Sequence, residues 1–250
     1  MPSARPRCAR SWPTRSSAAN TCCCSRCTRA SSSKRRRREG GTMIQFHTVP
    51  TANGQKVRIV LEETGLAYAL APVDLYAGEH KKPGYKAALS PFGKAPAIVD
   101  PDGPGGAPLV LSETLAIAWY LAEKAASDML PKGPGERAEF LMWASAVSSQ
   151  LAGAFTNQFV ATVMAPEKTP WAIERSLADC HEQLAAFEAR LATRIYMLGE
   201  RFTILDALFF PMVASSAKRL EGGLERYPNL ARYEAFIAQR PAVQRGMANG

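Results

Sequence analysis

The sequence predicts an α/β domain followed by an all-α helical bundle. In residues 43–127, short apolar runs alternate with amphipathic segments in the order βαβαββα. In residues 133–250, apolar side chains recur at helical spacing only. The length of 250 residues, of which 46% are hydrophobic, suits one large domain or two small ones. No run of about 18 apolar residues is present, so we expect neither a transmembrane helix nor a membrane partner.

The α/β half begins with a strand and a helix whose ends are marked by turn residues. Residues 43–47 are a short apolar run, and the turn that follows contains Thr51 and Asn53, which are good N-cap residues. Helical spacing continues to Gly65, which suits the position just after a helix. The other predicted elements of this half are a strand at 68–75, a helix at 84–89, a turn into a third strand within 90–100, a strand at 108–111 and a helix at 112–124.

The apolar pattern of residues 133–250 predicts only helices. We expect one long helix at about 135–164 and a second at 170–193 with an apolar stripe along its length. Thr203, followed three positions later by Asp206, is typical of a capping box and indicates where a third helix begins. Shorter helices are expected at 228–239 and near the C-terminus.

Residues 1–42 differ from the rest in charge and composition. They contain 11 of the 31 basic residues and one of the 22 acidic residues, so the remainder carries 20 basic and 21 acidic residues and is nearly neutral. We expect a disordered basic tail, or sequence translated upstream of a start at Met43. A transit peptide and a nucleic-acid-binding arm are the alternatives. Since the body is nearly neutral, we expect no nucleic-acid partner for it.

Common catalytic motifs are absent from the sequence. Five of the six cysteines lie in residues 1–42, so the body keeps only Cys180 and suits a reducing cytoplasm. No Walker loop, Gly-x-Gly-x-x-Gly or Gly-x-Ser-x-Gly motif occurs. The three histidines share no metal-ligand spacing, and we therefore expect no metal site.

Four segments together carry a resemblance to a known family. The element order, with Ala95-Pro96 opening a strand, is typical of a thioredoxin-like domain. Over residues 43–250 the sequence resembles the cytosolic glutathione transferases, and the Thr-x-Asn-Gly turn and residues 170–175 are most similar to the Nu class. The matching segments are residues 50–56, 90–98, 112–124 and 202–206.

The resemblance implies that Thr51 and Asn53 activate the sulfur of glutathione. They stand at the start of the first helix, where other classes carry Tyr, Ser or Cys. A thiol is a good nucleophile only as the thiolate, and a helix N-terminus offers unpaired N–H groups and partial positive charge to such an anion. Lowering the thiol pKa by one to two units requires about 1.4–2.7 kcal/mol, which two hydrogen bonds can supply. The alternative is that Thr51 or Asn53 merely caps the helix.

Three further sites are implied for the rest of glutathione. A cis peptide at Ala95–Pro96 would expose the Ala95 backbone for pairing with the cysteinyl part. Glu113 and Thr114, at another helix start, would hold the γ-glutamyl end. The glycyl carboxylate would meet a basic pair, His80 and Lys94.

The resemblance therefore implies a dimeric cytoplasmic enzyme with glutathione as co-substrate and no metal. It would conjugate glutathione to a small hydrophobic electrophile or use it, or its disulfide, in disulfide or peroxide reduction. The alternative is a non-catalytic binding or regulatory protein that keeps the glutathione pocket. Apolar side chains of the helical half are candidates for the wall of the second substrate, although helical spacing equally suits a core: Trp143, Phe155, Phe159, Met164 and Trp171.

Overall fold

A four-stranded mixed sheet forms the centre of the N-terminal half. The computed structural model describes residues 43–248, so the tail predicted for residues 1–42 lies outside the described residues. The strands are β1 (Ile44–Thr48), β2 (Tyr68–Pro72), β3 (Ala97–Asp100) and β4 (Leu109–Ser112). Strand β1 pairs in parallel with β2 and antiparallel with β3, which pairs antiparallel with β4, giving the order β2-β1-β3-β4.

Three helices complete this half, and the predicted thioredoxin-like order βαβαββα is confirmed. They are α1 (Ala52–Thr64), α2 (Pro83–Ala88) and α3 (Thr114–Lys124). Strand β2 is shorter than the predicted 68–75 and ends at Pro72, because its neighbour β1 ends at Thr48, which pairs with Pro72. Helix α3 begins two residues later than predicted, because Ser112 still pairs with Ala97 across β3 and β4.

The C-terminal half is helical, as predicted. The expected helix at 135–164 is a continuous helical stretch in which two π-helical segments, Ala146–Leu151 and Val160–Met164, interrupt the α-helical pattern. The helices are α4 (Gly133–Ser145), α5 (Ala152–Phe159), α6 (Pro170–Leu191), α7 (Ile204–Arg219), α8 (Pro228–Ile237) and α9 (Pro241–Met247). The predicted capping box of Thr203 and Asp206 is present at the start of α7.

Helix α1 is buried between the sheet and the helical half. It contacts α3 and, from the C-terminal half, α7 and α9. Gly246 on α9 allows this packing, because a Cβ there would lie 2.8 Å from the Ile59 backbone nitrogen. At the other end, a Cβ on Gly54 would clash with the Val49 carbonyl oxygen. The first turn of α1 is therefore held closely against the turn that leaves β1.

Within the described residues, none of the helices combines the length and the apolar character that crossing a bilayer requires.

Candidate active site

A cavity of about 810 Å³ lies between the α/β half and the helical half. Its volume is in the upper part of the roughly 300–1,000 Å³ range of small-molecule sites. Six of the eight site residues predicted from the sequence line it, and they come from three separate segments of the chain. These six are Asn53, Lys94, Ala95, Pro96, Glu113 and Thr114.

The first segment is the start of α1. Asn53 is exposed and lines the cavity, whereas Thr51 is exposed but lies outside its lining. The Thr51 hydroxyl is the N-cap and accepts a hydrogen bond from the Gly54 N–H at 3.5 Å. The first turn of α1 contains no acidic residue, so no side chain there offsets the partial positive charge of the helix N-terminus.

Next to Asn53, the cavity is also lined by Lys56, which is not one of the site residues predicted from the sequence. Its side chain is 1% exposed, and its Nζ donates to Asn53 Oδ1 at 3.0 Å. Burial lowers the pKa of the Lys56 ammonium to about 8. The sequence held one signal: Lys56 belongs to the buried stripe of α1 that Val57, Val60 and Leu61 form.

The second segment leads into β3. The Ala95–Pro96 peptide bond is cis, as expected, and both residues line the cavity. Lys94 is exposed at the cavity wall, and its carbonyl accepts from the Tyr85 hydroxyl at 3.3 Å. Its side chain can therefore approach a carboxylate in the cavity.

The third segment is the start of α3. Glu113 has φ 73° and ψ 120°, a region that residues other than glycine rarely adopt. It is exposed and lines the cavity beside Thr114, the first residue of the helix. A strained backbone that presents a carboxylate at a cavity is a common feature of binding sites.

A buried carboxylate at the end of β3 binds the C-terminal part of α3. Asp100, 1% exposed, accepts from the Tyr120 hydroxyl at 2.6 Å and pairs with Lys124 at 2.7 Å. Burial alone would raise the pKa of Asp100. The hydrogen bonds from Lys124 and Tyr120 lower it by more than burial raises it, so the net shift of the pKa is downward. Burial and the adjacent carboxylate raise the pKa of Tyr120, which lines the cavity as a neutral phenol.

His80 lies outside the cavity lining. It is part of a short 3₁₀ turn at Glu79–Lys81, and its buried Nδ1 has no hydrogen-bond partner. Burial and the nearby charge of Lys81 lower the pKa of the imidazole. Of the predicted basic pair, the structure brings Lys94 to the cavity and leaves His80 away from it.

The opposite wall is more polar than the sequence suggested. One stripe of the α4–α5 stretch faces the cavity with Ser148, Ala152 and Thr156, spaced four residues apart, and Ser148 lies in the first π-helical segment. The other residues of this wall are Phe140, Leu141, Gly153 and Asn157. A π-helical segment shifts side chains around the helix, which simple helical spacing cannot anticipate.

The aromatic candidates for this wall lie elsewhere. Trp143 packs on Phe187, with ring centroids 5.3 Å apart, and Phe155 is buried in the core. Phe159 lies beneath the Arg219 guanidinium, whereas Met164 and Trp171 are exposed outside the cavity lining. The aromatic side chains that do line the cavity are Trp119 and Tyr120 of α3 and Phe140 of α4.

The described part of the chain offers no sulfur nucleophile of its own at the cavity. Cys180, the one cysteine in residues 43–248, is fully buried on α6, and burial raises the pKa of its thiol to about 11. No group of three or more His, Cys, Asp or Glu side chains that could hold a metal ion occurs within those residues. Among residues 43–248, no side chain can therefore supply the sulfur for thiol chemistry at the cavity, whereas a ligand that carries sulfur can.

Known proteins share this architecture. The chain matches the glutathione S-transferase N-terminal domain over residues 52–124 and the glutathione S-transferase C-terminal domain over residues 172–235. It is 34% identical over 203 residues to the disulfide-bond oxidoreductase YfcG of Escherichia coli. The aligned region covers 80% of this chain and 93% of that protein.

Two solved structures extend the similarity to three dimensions. A glutathione transferase family member from Pseudomonas fluorescens with two glutathione bound superposes with a TM-score of 0.75 at 31% identity, over 82% of this chain and 92% of that one. A glutathione transferase from Pseudomonas putida with one glutathione disulfide bound per subunit superposes with a TM-score of 0.72 at 32% identity, over 82% of this chain and 90% of that one. Sequence and fold together establish that this chain belongs to the glutathione S-transferase family.

Proposed function

We propose that the chain binds glutathione in the cavity and uses its sulfur to reduce disulfides, with conjugation to an electrophile as a second activity. One observation carries the proposal: a cavity of about 810 Å³ brings the starts of α1 and α3 together beside Asn53 and Glu113. The relative named as a disulfide-bond oxidoreductase and the relative that holds glutathione disulfide support the redox activity. The Thr51–Asn53 turn supports assignment to the Nu class.

The roles of the cavity residues follow from their charges and positions. Glu113 would pair with the γ-glutamyl ammonium, while the N–H and hydroxyl of Thr114 bind its carboxylate. The Ala95 backbone would pair with the cysteinyl part, and Lys94 with the glycyl carboxylate. The sulfur would then lie by the start of α1, with Asn53 as the principal donor and Thr51 at the helix cap. His80, outside the lining, would act through water or another residue.

The reaction proceeds by two thiol–disulfide exchanges. The glutathione thiolate attacks one sulfur of the substrate disulfide, the S–S bond breaks, and the departing thiolate takes a proton from water. A second glutathione thiolate then attacks the glutathione sulfur of the mixed disulfide and displaces the second substrate thiolate, which also takes a proton from water. The products are glutathione disulfide and two thiols. The relative with two bound glutathiones supports a site that accepts both partners.

A homodimer in the cytoplasm and a division into domains at 43–127 and 133–250 complete the proposal. Exposed apolar side chains support a second copy, since Phe92 is 62% and Met142 is 58% exposed. The buried Cys180 and the lack of other cysteines in residues 43–248 suit a reducing compartment.

The test compares two activities in the wild type and a double variant. Glutathione-dependent reduction of hydroxyethyl disulfide and conjugation of a chlorodinitrobenzene are measured together with the affinity for S-methylglutathione. Thr51→Ala with Asn53→Ala should reduce turnover about a hundredfold, the effect of two lost hydrogen bonds to a charged sulfur, and change the affinity by less than about tenfold.

The matched control is Thr64→Ala at the far end of the same helix. Its hydroxyl donates to the Val60 carbonyl, away from the cavity, and turnover should be unchanged. A wild type that binds the ligand but shows neither activity would identify a non-catalytic binding protein. A double variant with wild-type rates would show that the sulfur is activated by other groups.

A further inference from the structure

Lys56 is an unusual residue to find in the interior. It is 1% exposed, yet its ammonium has one hydrogen-bond acceptor, Asn53 Oδ1, at 3.0 Å. No carboxylate lies within ion-pairing distance of its Nζ in the part of the chain that the structure describes. Lysines are almost never this buried unless they are paired, because desolvating an unpaired charge is unfavourable. The protein thus tolerates a destabilising cation directly behind the residue that faces the cavity.

The Lys56 ammonium sets the orientation of the Asn53 amide. An ammonium group can only donate, so the amide atom that faces it must be the oxygen. The other end, the Nδ2 donor, uses none of the hydrogen bonds formed among residues 43–248. Because Asn53 lines the cavity, its free donor is available to a ligand there. Without Lys56, the amide could turn and present its oxygen, which would repel an anion.

We propose that Lys56 is the positioning residue for glutathione activation: it holds Asn53 with its amide donor toward the sulfur and stabilises the thiolate through its own buried positive charge. The inference rests on the proposed function and deepens it, since it explains how the chain activates a thiol without Tyr, Ser or Cys at the start of α1. Lys56 also lines the cavity, but its side chain is 1% exposed and its ammonium is engaged with Asn53, so we assign it a positioning role and not direct contact with the sulfur.

The effect of a buried cation is strong because water screens it weakly. Charges in the interior interact with several times the energy that they have in bulk water. Burial already lowers the pKa of Lys56 to about 8, so the free protein carries this charge at pH 7 and loses it in mildly alkaline solution. A bound thiolate and the ammonium stabilise each other, so each shifts the pKa of the other in the favourable direction.

The other charged groups near α1 are already engaged or lie outside ion-pairing distance of Lys56. The ionisable side chains that line the cavity besides Lys56 are Lys94, Glu113, Tyr120 and Glu123. On the helices that pack against α1, Lys124 of α3 pairs with Asp100, and Arg245 of α9 pairs with Glu62. Asp206 of α7 accepts hydrogen bonds at both oxygens, while Lys218 and Arg219 lie at that helix's far end.

The experiment titrates the thiol of bound glutathione by its ultraviolet thiolate absorbance. In Lys56→Met, which keeps the length and removes the charge, the thiol pKa should rise by about one unit or more, equivalent to a tenfold loss of thiolate at neutral pH. Disulfide reduction should fall about tenfold at pH 6.5 and approach the wild-type rate above about pH 9, where free thiols ionise unaided. Affinity for S-methylglutathione, which has no ionisable sulfur, should stay within about threefold.

Two further variants separate charge from structure. Lys56→Gln keeps a donor for Asn53 without the charge and should show an intermediate thiol pKa. Lys168→Met removes an exposed lysine outside the cavity lining and should behave as wild type. A thiol pKa in Lys56→Met or Lys56→Gln equal to that of the wild type would overturn the inference. So would a loss of S-methylglutathione binding with equal loss of activity at every pH, since that pattern indicates a structural role.

The outcome for Lys56 is distinguishable from the outcome for the proposed function. A wild type that reduces disulfides, with an unshifted thiol in Lys56→Met, would refute the inference and leave the function standing. A wild type that binds glutathione without turnover would refute the function, whereas a raised thiol pKa in Lys56→Met would still support the inference.

Discussion

Two fully buried ionisable side chains, Asp206 and Lys56, differ in how many hydrogen-bond partners the fold gives them. Asp206 on α7 accepts four hydrogen bonds, from the Met197 and Thr203 N–H groups at 2.8 Å, the Thr203 hydroxyl at 2.9 Å and the Tyr233 hydroxyl at 3.1 Å. Lys56 donates to one acceptor. A buried ionisable group with a complete set of partners organises a structure, whereas a buried charge with an incomplete set interacts favourably with a ligand of opposite charge.

Asp206 connects parts of the chain that are distant in sequence. It closes the capping box of α7, binds the segment that follows α6 through Met197, and binds α8 through Tyr233. Burial raises the pKa of this carboxyl, and the four donors act against the rise. All four donors point at one side chain, so removing it leaves several buried polar groups without partners.

The largest expected effect tests this organising role. Asp206→Ala should lower the free energy of unfolding by about 4 kcal/mol or more, because two backbone N–H groups and a phenol lose their acceptor, each at about 1–3 kcal/mol. Urea unfolding at pH 7 measures the change. Glu182→Ala, on the exposed side of α6, is the matched control and should stay within about 0.5 kcal/mol of wild type. A change of less than about 1 kcal/mol in Asp206→Ala would show that the hydrogen bonds to Asp206 are not needed to organise the fold.

Removing the charge of Lys56 should change the free energy of unfolding in the opposite direction. Its pKa is lowered from 10.5 to about 8, so the unfolded chain binds the proton more tightly than the folded one, and the buried charge destabilises the fold below pH 8. Lys56→Met should therefore raise the free energy of unfolding at pH 7 by about 3 kcal/mol, the equivalent of the pKa shift.

The pH dependence sharpens that prediction. As the pH rises from about 8 towards 10.5, the folded wild type releases the proton before the unfolded chain does, so the wild type gains stability and the difference between the two proteins should shrink. Urea midpoints at three pH values follow this trend. A variant that is less stable than wild type at pH 7 would show that the Lys56–Asn53 bond is mainly structural.

The same two residues show what the sequence could and could not predict. The Asp206 capping box is a local pattern, since Thr203 and Asp206 are three residues apart and the helix start defines their geometry. Helix α1, its cap and its terminal Gly65 were predictable for the same reason. The burial of Lys56 depends on α3, α7 and α9 packing around α1, which no local pattern encodes.

The cavity shows the same division. The segments at Asn53, Ala95–Pro96 and Glu113 could be located from motifs, because each is a turn or a helix start. The far wall could not, because the π-helical segment at Ala146–Leu151 changes which side chains face inward. Trp143, before this segment, packs against the core, whereas Ser148 and Thr156 line the cavity.

The smallest effect contrasts the two ends of α3, where the non-glycine residues with positive φ among residues 43–248 occur. Glu113 has φ 73° at the start of the helix and lines the cavity, while Ala126 has φ 46° just beyond its end and does not. Glycine adopts such angles without strain, so Glu113→Gly and Ala126→Gly should each raise the free energy of unfolding by about 1 kcal/mol. Isothermal titration should separate them: Glu113→Gly should weaken glutathione binding about tenfold, the loss of one charged hydrogen bond, and Ala126→Gly should leave it unchanged. Equal affinities in both variants would mean that the strain at Glu113 serves the helix start and not the ligand.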